Sequence, residues 1–176
     1  MIIAPATLSD AGEVAEIYAH HVRHGTATYE LDPPVVAEIA ARMARVIDAG
    51  WPWLVARDQA GTMLGYGYVA QFRARAAYRY AGEDSIYVRN DCRGQGVGKA
   101  LLSALLTASE AAGFRQIYAV IGGAEPASIK LHSALGFVHS GLLRGSGRKA
   151  GLWLDTVFMT LPLGGGDTTP PPEEPR

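Results

Sequence analysis

The chain has 176 residues, 48% of them apolar and 19% charged, with a net charge of −1. That is enough chain for one domain with a substantial core, and the near-neutral balance gives no field to draw nucleic acid or an anionic membrane, so a phosphate-bearing ligand has to be held by local donors. The single cysteine, Cys92, excludes an intrachain disulfide and an all-cysteine metal site, and no apolar run approaches the ~18 residues that span a bilayer.

The opening stretch MIIAPATLSD lacks a basic segment followed by an apolar run, so a cytoplasmic protein is the expectation. Thr7, Ser9 and Asp10 can cap a first helix running to about His24, with Val14, Ile17, Tyr18 and His21 spaced along one face. Residues 25–28 break it ahead of Tyr29 and Glu30. Asp32-Pro33-Pro34 announces a second helix, since proline is tolerated in a first turn. Its apolar stripe is Val36, Ile39, Ala40, Met43, Val46 and Ile47, and Gly50 closes it.

Residues 51–57 read as a strand, 58–61 as its turn and 63–72 as the returning strand. Residues 73–82, RARAAYRYAG, form a basic, tyrosine-rich loop or strand end, and 85–88 a short β segment entering a glycine-rich turn. A helix spans 97–112 and stops at Gly113. A strand covers 114–121, a short helix about 127–135 ends at Gly136, and two last strands cover about 137–144 and 152–161. The order ααββ–β–α–β–α–ββ predicts one α/β domain with mixed strand pairing over residues 1–163. The Gly/Pro-rich, acidic stretch 164–176 is expected to be disordered.

The strongest local signal is Arg93-Gly94-Gln95-Gly96-Val97-Gly98, set between a strand and a helix. Glycines admit positive φ and bring backbone N–H groups close to a ligand, and the following helix start offers unpaired N–H groups suited to an anion. Together they make a pyrophosphate cradle, with Arg93 and Lys99 as nearby charges. A P-loop would need glycine at 93 and Ser or Thr at 100, where the chain has Arg93 and Ala100. A dinucleotide fingerprint starting at Gly94 would need Gly or Ala in place of Lys99. The bland alternative is that the glycines only turn the chain into the helix.

Residues 88–98, VRNDCRGQGVG, resemble the acetyl-CoA motif of the GNAT N-acetyltransferase superfamily, and residues 127–137, ASIKLHSALGF, resemble its second hallmark. The segments WPWLVA (51–56), EDSIYV (83–88), SIKLHSALGF (128–137) and WLDTVFM (153–159) are similar to the phosphinothricin and methionine sulfoximine acetyltransferase family, over about residues 2–162. The resemblance implies a GNAT fold, a mixed and mostly antiparallel central sheet flanked by helices. It implies acetyl-CoA as co-substrate without a metal, a small amino-acid-like acceptor, and a homodimer. The family's cofactor contacts correspond here to Ile86, Tyr87 and Val88, to Arg93, Gly94, Gln95, Gly96, Val97, Gly98 and Lys99, and to Ser128. Glu125 stands near the place where relatives carry an asparagine; a carboxylate cannot donate the hydrogen bond an asparagine would give the cofactor's amide arm.

An aliphatic amine is mainly ammonium near neutral pH, so an enzyme must remove a proton before the nitrogen can attack a thioester. The family's general base is a glutamate in the pattern E-x-S/T-x-Y-V, which selects Glu83; the alternative is a solvated strand-end glutamate. Strand alternation points Asp84 to the opposite face. The resemblance gives the Val88 N–H to the thioester oxygen. It also sets His132 where many members carry a tyrosine that protonates the leaving thiolate, although a helical histidine is more often a packing or surface residue. Arg73, Arg75 and Tyr78 suit an acceptor with a carboxylate or phosphinate, because guanidinium binds both bidentately. Tyr29 and Glu30 line the same cleft in this reading, with Glu30 available to the acceptor's ammonium. His20 and His24 share a helix face, with His21 beside them, yet no ligand set completes a metal site. Residues 147–153 with Asp155 resemble the family's late hairpin, near the dimer partner, and Trp153 is assigned to core or pocket. Two other functions compete: acetylation of peptide N-termini or another amine, and a CoA-binding sensor without catalysis.

Overall fold

The protein is described by a computed structural model over residues 1–173. Among these residues the strands are β1 (Ile2–Pro5), β2 (Trp53–Arg57), β3 (Met63–Gln71), β4 (Ala81–Val88), β5 (Gln116–Gly122), β6 (Val138–Lys149) and β7 (Leu152–Pro162). The helices are α1 (Ala11–His24), α2 (Val36–Asp48), α3 (Val97–Ala111) and α4 (Pro126–Ser133). The strands form one sheet in the order β1-β2-β3-β4-β5-β7-β6. Neighbours are antiparallel except β4 and β5, which run parallel. This is the expected mixed, mostly antiparallel α/β architecture.

The period-2 alternation of β2 shows how the layers are built. Trp53 and Val55 face α1 and α2, where Val14, Ile17, Met43 and Val46 are buried. Leu54 and Ala56 face the opposite layer, with Leu101, Leu102 and Leu105 of α3. The α3 helix lies unusually close to the sheet because β3 carries glycine beneath it. A Cβ on Gly65 would sit 3.3 Å from Leu101 Cδ1 and 2.7 Å from the Tyr87 carbonyl oxygen. A glycine inside a strand marks such a close approach.

Three boundaries differ from the sequence reading. Residues 2–5, left unassigned by pattern, become an edge strand because β2 offers them a pairing partner, from Ile2↔Arg57 to Pro5↔Leu54. The β4 strand starts at Ala81, not 85, because β3 extends to meet it at Gln71↔Gly82. The β6 strand runs to Lys149 through two register shifts against β7. After β7, the Arg115 guanidinium donates to the Thr169 carbonyl (2.9 Å) and hydroxyl (2.7 Å). Residues 174–176 of the stretch expected to be disordered lie outside the described residues.

Candidate active site

The parallel register between β4 and β5 is short. It runs from Ala81↔Gln116 to Asp84↔Ala119 and then stops. Beyond it β4 continues paired only to β3, as far as Gly65↔Val88, and β5 only to β7, as far as Gly122↔Thr156. The two strands therefore part into a wedge. The Arg89 N–H donates to the Leu64 carbonyl (2.9 Å), which directs the polar groups of odd-numbered β4 residues toward β3. The backbone N–H and C=O of Ile86 and Val88 thus face the wedge, as donors and acceptors without a strand partner. Tyr87, an odd-numbered residue, turns its backbone polar groups to Tyr66 of β3, and its partly buried ring packs near Tyr18 (5.0 Å) and Tyr66 (5.2 Å), so the cofactor contact expected of it is not offered from the wedge edge.

At the wide end of the wedge the chain turns through Asn90–Cys92 into the glycine segment. Gly94 and Gly96 have φ of +73° and +82°, a region that side chains with a Cβ enter only at a cost. Gly96 is the N-cap of α3 and offers no side-chain cap, so the first-turn N–H groups are left for a ligand. Val97 is buried in the core and can serve the cradle only by its amide, as can Gly98. The Gln95 side chain donates to the Asp91 carbonyl (3.0 Å) and so closes the turn. Arg93 and Lys99 are exposed beside the cradle. The donor set fits a diphosphate: first-turn amides, a positive helix end and two exposed cations. Cys92 is buried next to it, beside Asp91.

Glu83 lies on the α1/α2 face of β4, half-buried, with its carboxylate 3.7 Å from the Arg73 guanidinium. Burial raises its proton affinity above the ordinary carboxylate range; Arg73 partly opposes this and Asp84 adds to it. Such a carboxylate is a stronger base than a solvated one. Arg73 stacks over the Phe72 ring (3.9 Å), which in turn stacks on Tyr118 (4.5 Å). The Gln71 amide donates to the Arg75 carbonyl (3.0 Å), and Arg75 and Tyr78 are both exposed on this loop.

The polar groups of the segment after α1 are tied to other elements. Tyr29 shares a hydrogen bond with Thr156 (2.7 Å) and donates to the Asp155 carbonyl (3.1 Å). Glu30 accepts from Arg42 (2.6 Å) and from Tyr18 (3.0 Å) on one oxygen. Burial pushes the Tyr18 hydroxyl up to about 12, so it remains a donor. Glu30 is therefore a paired carboxylate. Lys149 is buried with its ammonium on the Thr28 carbonyl (2.9 Å); burial lowers its proton affinity and Glu30 partly restores it. Trp153 belongs neither to core nor to pocket, being 69% exposed on the β6–β7 hairpin.

Two histidines take places that pattern alone did not reveal. His21, placed by its spacing on the same helix face as Val14, Ile17 and Tyr18, is buried there, and its Nε2–H donates to the Val88 carbonyl (2.9 Å), a partner the spacing did not reveal. Its Nδ1 faces Arg93 Nη2 at 3.4 Å. Burial lowers the proton affinity of His21; the hydrogen bond to Val88 opposes this, Arg93 adds to the fall, and Glu125 at the head of α4 opposes it weakly. His132 of α4 is also buried. Its Nδ1–H donates to the Ser128 carbonyl (2.8 Å), with the Ser128 hydroxyl at 3.3 Å, and its Nε2 lies 3.0 Å from Asp84. The alternation that sent Asp84 away from Glu83 was legible; the histidine it meets was not. Among the described residues no group of three or more His, Cys, Asp or Glu converges to hold a metal ion.

Residues 3–158 match the family described as "Acetyltransferase (GNAT) domain". The chain is 48% identical over 163 residues to a phosphinothricin N-acetyltransferase of Alcaligenes faecalis, covering 92% of this chain and 82% of that one. It is 38% identical over 161 residues to an L-methionine sulfoximine/L-methionine sulfone acetyltransferase of Pseudomonas paraeruginosa, covering 92% and 94%. The crystal structure of a phosphinothricin acetyltransferase from Sinorhizobium meliloti with bound acetyl-CoA is similar at a TM-score of 0.96 and 49% identity, covering 99% of this chain and 94% of that one.

Proposed function

Because the chain belongs to the GNAT acetyltransferase family, an acyltransferase family that uses acetyl-CoA, we propose that it acetylates the amino group of a small amino acid of the phosphinothricin or methionine sulfoximine type. Acetyl-CoA supplies the activated acyl group. The amides at 94–99 hold its diphosphate, the Ile86 and Val88 edge of β4 hydrogen-bonds its amide arm, and the Val88 N–H donates to the thioester oxygen, where negative charge grows as the nitrogen attacks. Arg75, with Tyr78, engages the acceptor's carboxylate or phosphinate. Glu83 removes a proton from the acceptor's ammonium, directly or through a water.

The observation that carries this reading is the placement of Glu83. Its half-buried, strengthened carboxylate stands on the same strand as the unpaired amide edge, with the basic loop beside it. Tyr29 and Glu30 enter as a wall tied to Thr156 and Arg42, which shapes the acceptor cleft.

The test is release of free CoA thiol across a panel of phosphinothricin, methionine sulfoximine, proteinogenic amino acids and a short peptide. Turnover confined to the peptide would overturn the acceptor class, and thiol release with none of them would favour the sensor reading. Within that assay Arg75→Ala is expected to raise the acceptor KM by about ten-fold or more, the scale of a lost charge-assisted hydrogen bond. The acetyl-CoA KM should stay within about two-fold of the wild-type value, because the cradle of amides is untouched. Equal rises in both constants would remove Arg75 from acceptor binding.

We further infer a homodimer built on the β6–β7 hairpin, supported by the exposure there of Leu142, Leu143, Leu152 and Trp153. A cytoplasmic location follows from the demand for acetyl-CoA. No described helix is long and apolar enough to cross a membrane.

A further inference from the structure

Asp84 occupies the last position at which β4 is paired to β5, so it stands at the vertex of the wedge. Its side chain and that of His132 are 1% and 4% exposed, and Asp84 Oδ2 lies 3.0 Å from His132 Nε2. The proton inventory of this pair follows from chemistry. The Ser128 carbonyl can only accept, so His132 Nδ1, 2.8 Å away, carries a hydrogen. Nε2 then either carries a second hydrogen and donates to an Asp84 carboxylate, or is bare and accepts from an Asp84 carboxylic acid. A bare Nε2 against an ionised carboxylate would press two lone pairs together out of water. In either arrangement the pair holds one proton. Asp84 Oδ1 has no hydrogen-bond partner among the described residues, so His132 is the polar group that holds this buried side chain.

We propose that Asp84 and His132 form a one-proton tie between β4 and α4 that sets the opening of the cofactor wedge, and that His132 is a positioning residue, not the donor to the departing thiolate. The tie spans the two segments that flank the wedge: β4 with the edge at Ile86 and Val88 that has no strand partner, and α4 with Glu125 at its head and Ser128 in its first turn. Both ring nitrogens are committed, and the ring edge packs on Phe137 (4.9 Å), so no N–H is left to meet a thiolate. The reading rests on acetyl-CoA lying in that wedge, but not on the identity of the general base.

The charged group facing the ring is Asp84 from β4. Its own helix offers the Ser128 carbonyl and hydroxyl, and the strand after it the Phe137 ring. Burial opposes protonation, while Asp84 and then Ser128 favour it, and the balance lies above the ordinary histidine value. A raised histidine contributes its stabilisation fully below its unfolded value and loses it as pH rises through the folded value. The acetyl-CoA KM is therefore expected to climb on the alkaline side, over the range in which the ring deprotonates.

The decisive measurement is an NMR titration of the His132 ring in the wild type and in Asp84→Asn, alongside steady-state kinetics of Asp84→Asn, His132→Gln and the double variant. The wild-type ring should titrate above about 6.5 and fall toward or below it in Asp84→Asn. Each single change should raise the acetyl-CoA KM about ten-fold, with kcat changed less than about three-fold. The double variant should lie closer to the wild type than either single variant, since two amides can pair without a proton. A wild-type ring titrating at or below about 6.5 overturns the proposal even if no variant folds. So does a His132→Gln protein whose kcat falls about a hundred-fold at unchanged acetyl-CoA KM, the signature of a general acid. Neither readout depends on Glu83, so the base assignment and the tie can fail separately.

Discussion

Glu83→Gln is expected to reduce turnover by about 10²- to 10⁴-fold, the usual share of a general base, while acetyl-CoA still binds. Glutamine keeps the size and one acceptor oxygen of glutamate but cannot take up a proton. The loss should therefore fall on kcat with the acceptor saturating, and a calorimetric titration with CoA should match the wild type. A variant turning over at the wild-type rate would remove Glu83 from the mechanism. The pH profile carries a second, signed expectation. As the proposed base Glu83 would work only when ionised, and burial raises the pH at which it ionises while Arg73 partly opposes that rise. Activity should fall as pH drops through this raised value. Arg73→Gln removes the opposing charge and should move the acidic limb of kcat/KM to higher pH. A limb that stays in place, or moves down, would show that Arg73 does not act on Glu83.

Gly96→Val is expected to raise the acetyl-CoA KM by about thirty-fold or more with the acceptor KM little changed, because a β-branched residue in the left-handed region costs roughly 1–2 kcal/mol and turns the adjoining amides off target. The position separates backbone from side-chain effects. Gly96 has φ of +82°, and a Cβ added there meets nothing within 4 Å, so the conformation itself is the cause. Gly12 on α1 also has open space around it but lies in an ordinary helix, so Gly12→Ala serves as the control and should leave both constants alone. Loss of acetyl-CoA binding in both variants would point to a general weakening of the fold. An unchanged KM in Gly96→Val would mean that the cradle does not grip the diphosphate.

Much of this site was legible before any coordinates. The positive-φ glycines at 94 and 96, the helix start at Val97, the helical stripes of α1 and α2 and the opposition of Glu83 to Asp84 all depend on residues within a turn or two of each other. Backbone sterics and side-chain periodicity act over that range, so a linear pattern records them. The family motifs pointed to Glu83, to the glycine segment and to the basic loop, whose Arg73 lies 3.7 Å from Glu83.

What pattern could not supply is who meets whom. His21 reaches the Val88 carbonyl across 67 positions, His132 reaches Asp84 across 48, and Lys149 reaches Thr28 across 121. The pairings of His132 and Lys149 depend on the strand order β4-β5-β7-β6, which brings α4 to β4 and the β6–β7 hairpin to the segment after α1, and that of His21 on the packing of α1 against β4. The first strand is a similar case: four residues with no decisive alternation become β structure when β2 offers them hydrogen bonds. A polar group must find a partner when it is buried, but which partner it finds is a property of the closed sheet. Local conformation was thus determined by the amino-acid sequence read in short windows, whereas the polar pairings that set charge and geometry in the site were decided by the tertiary structure.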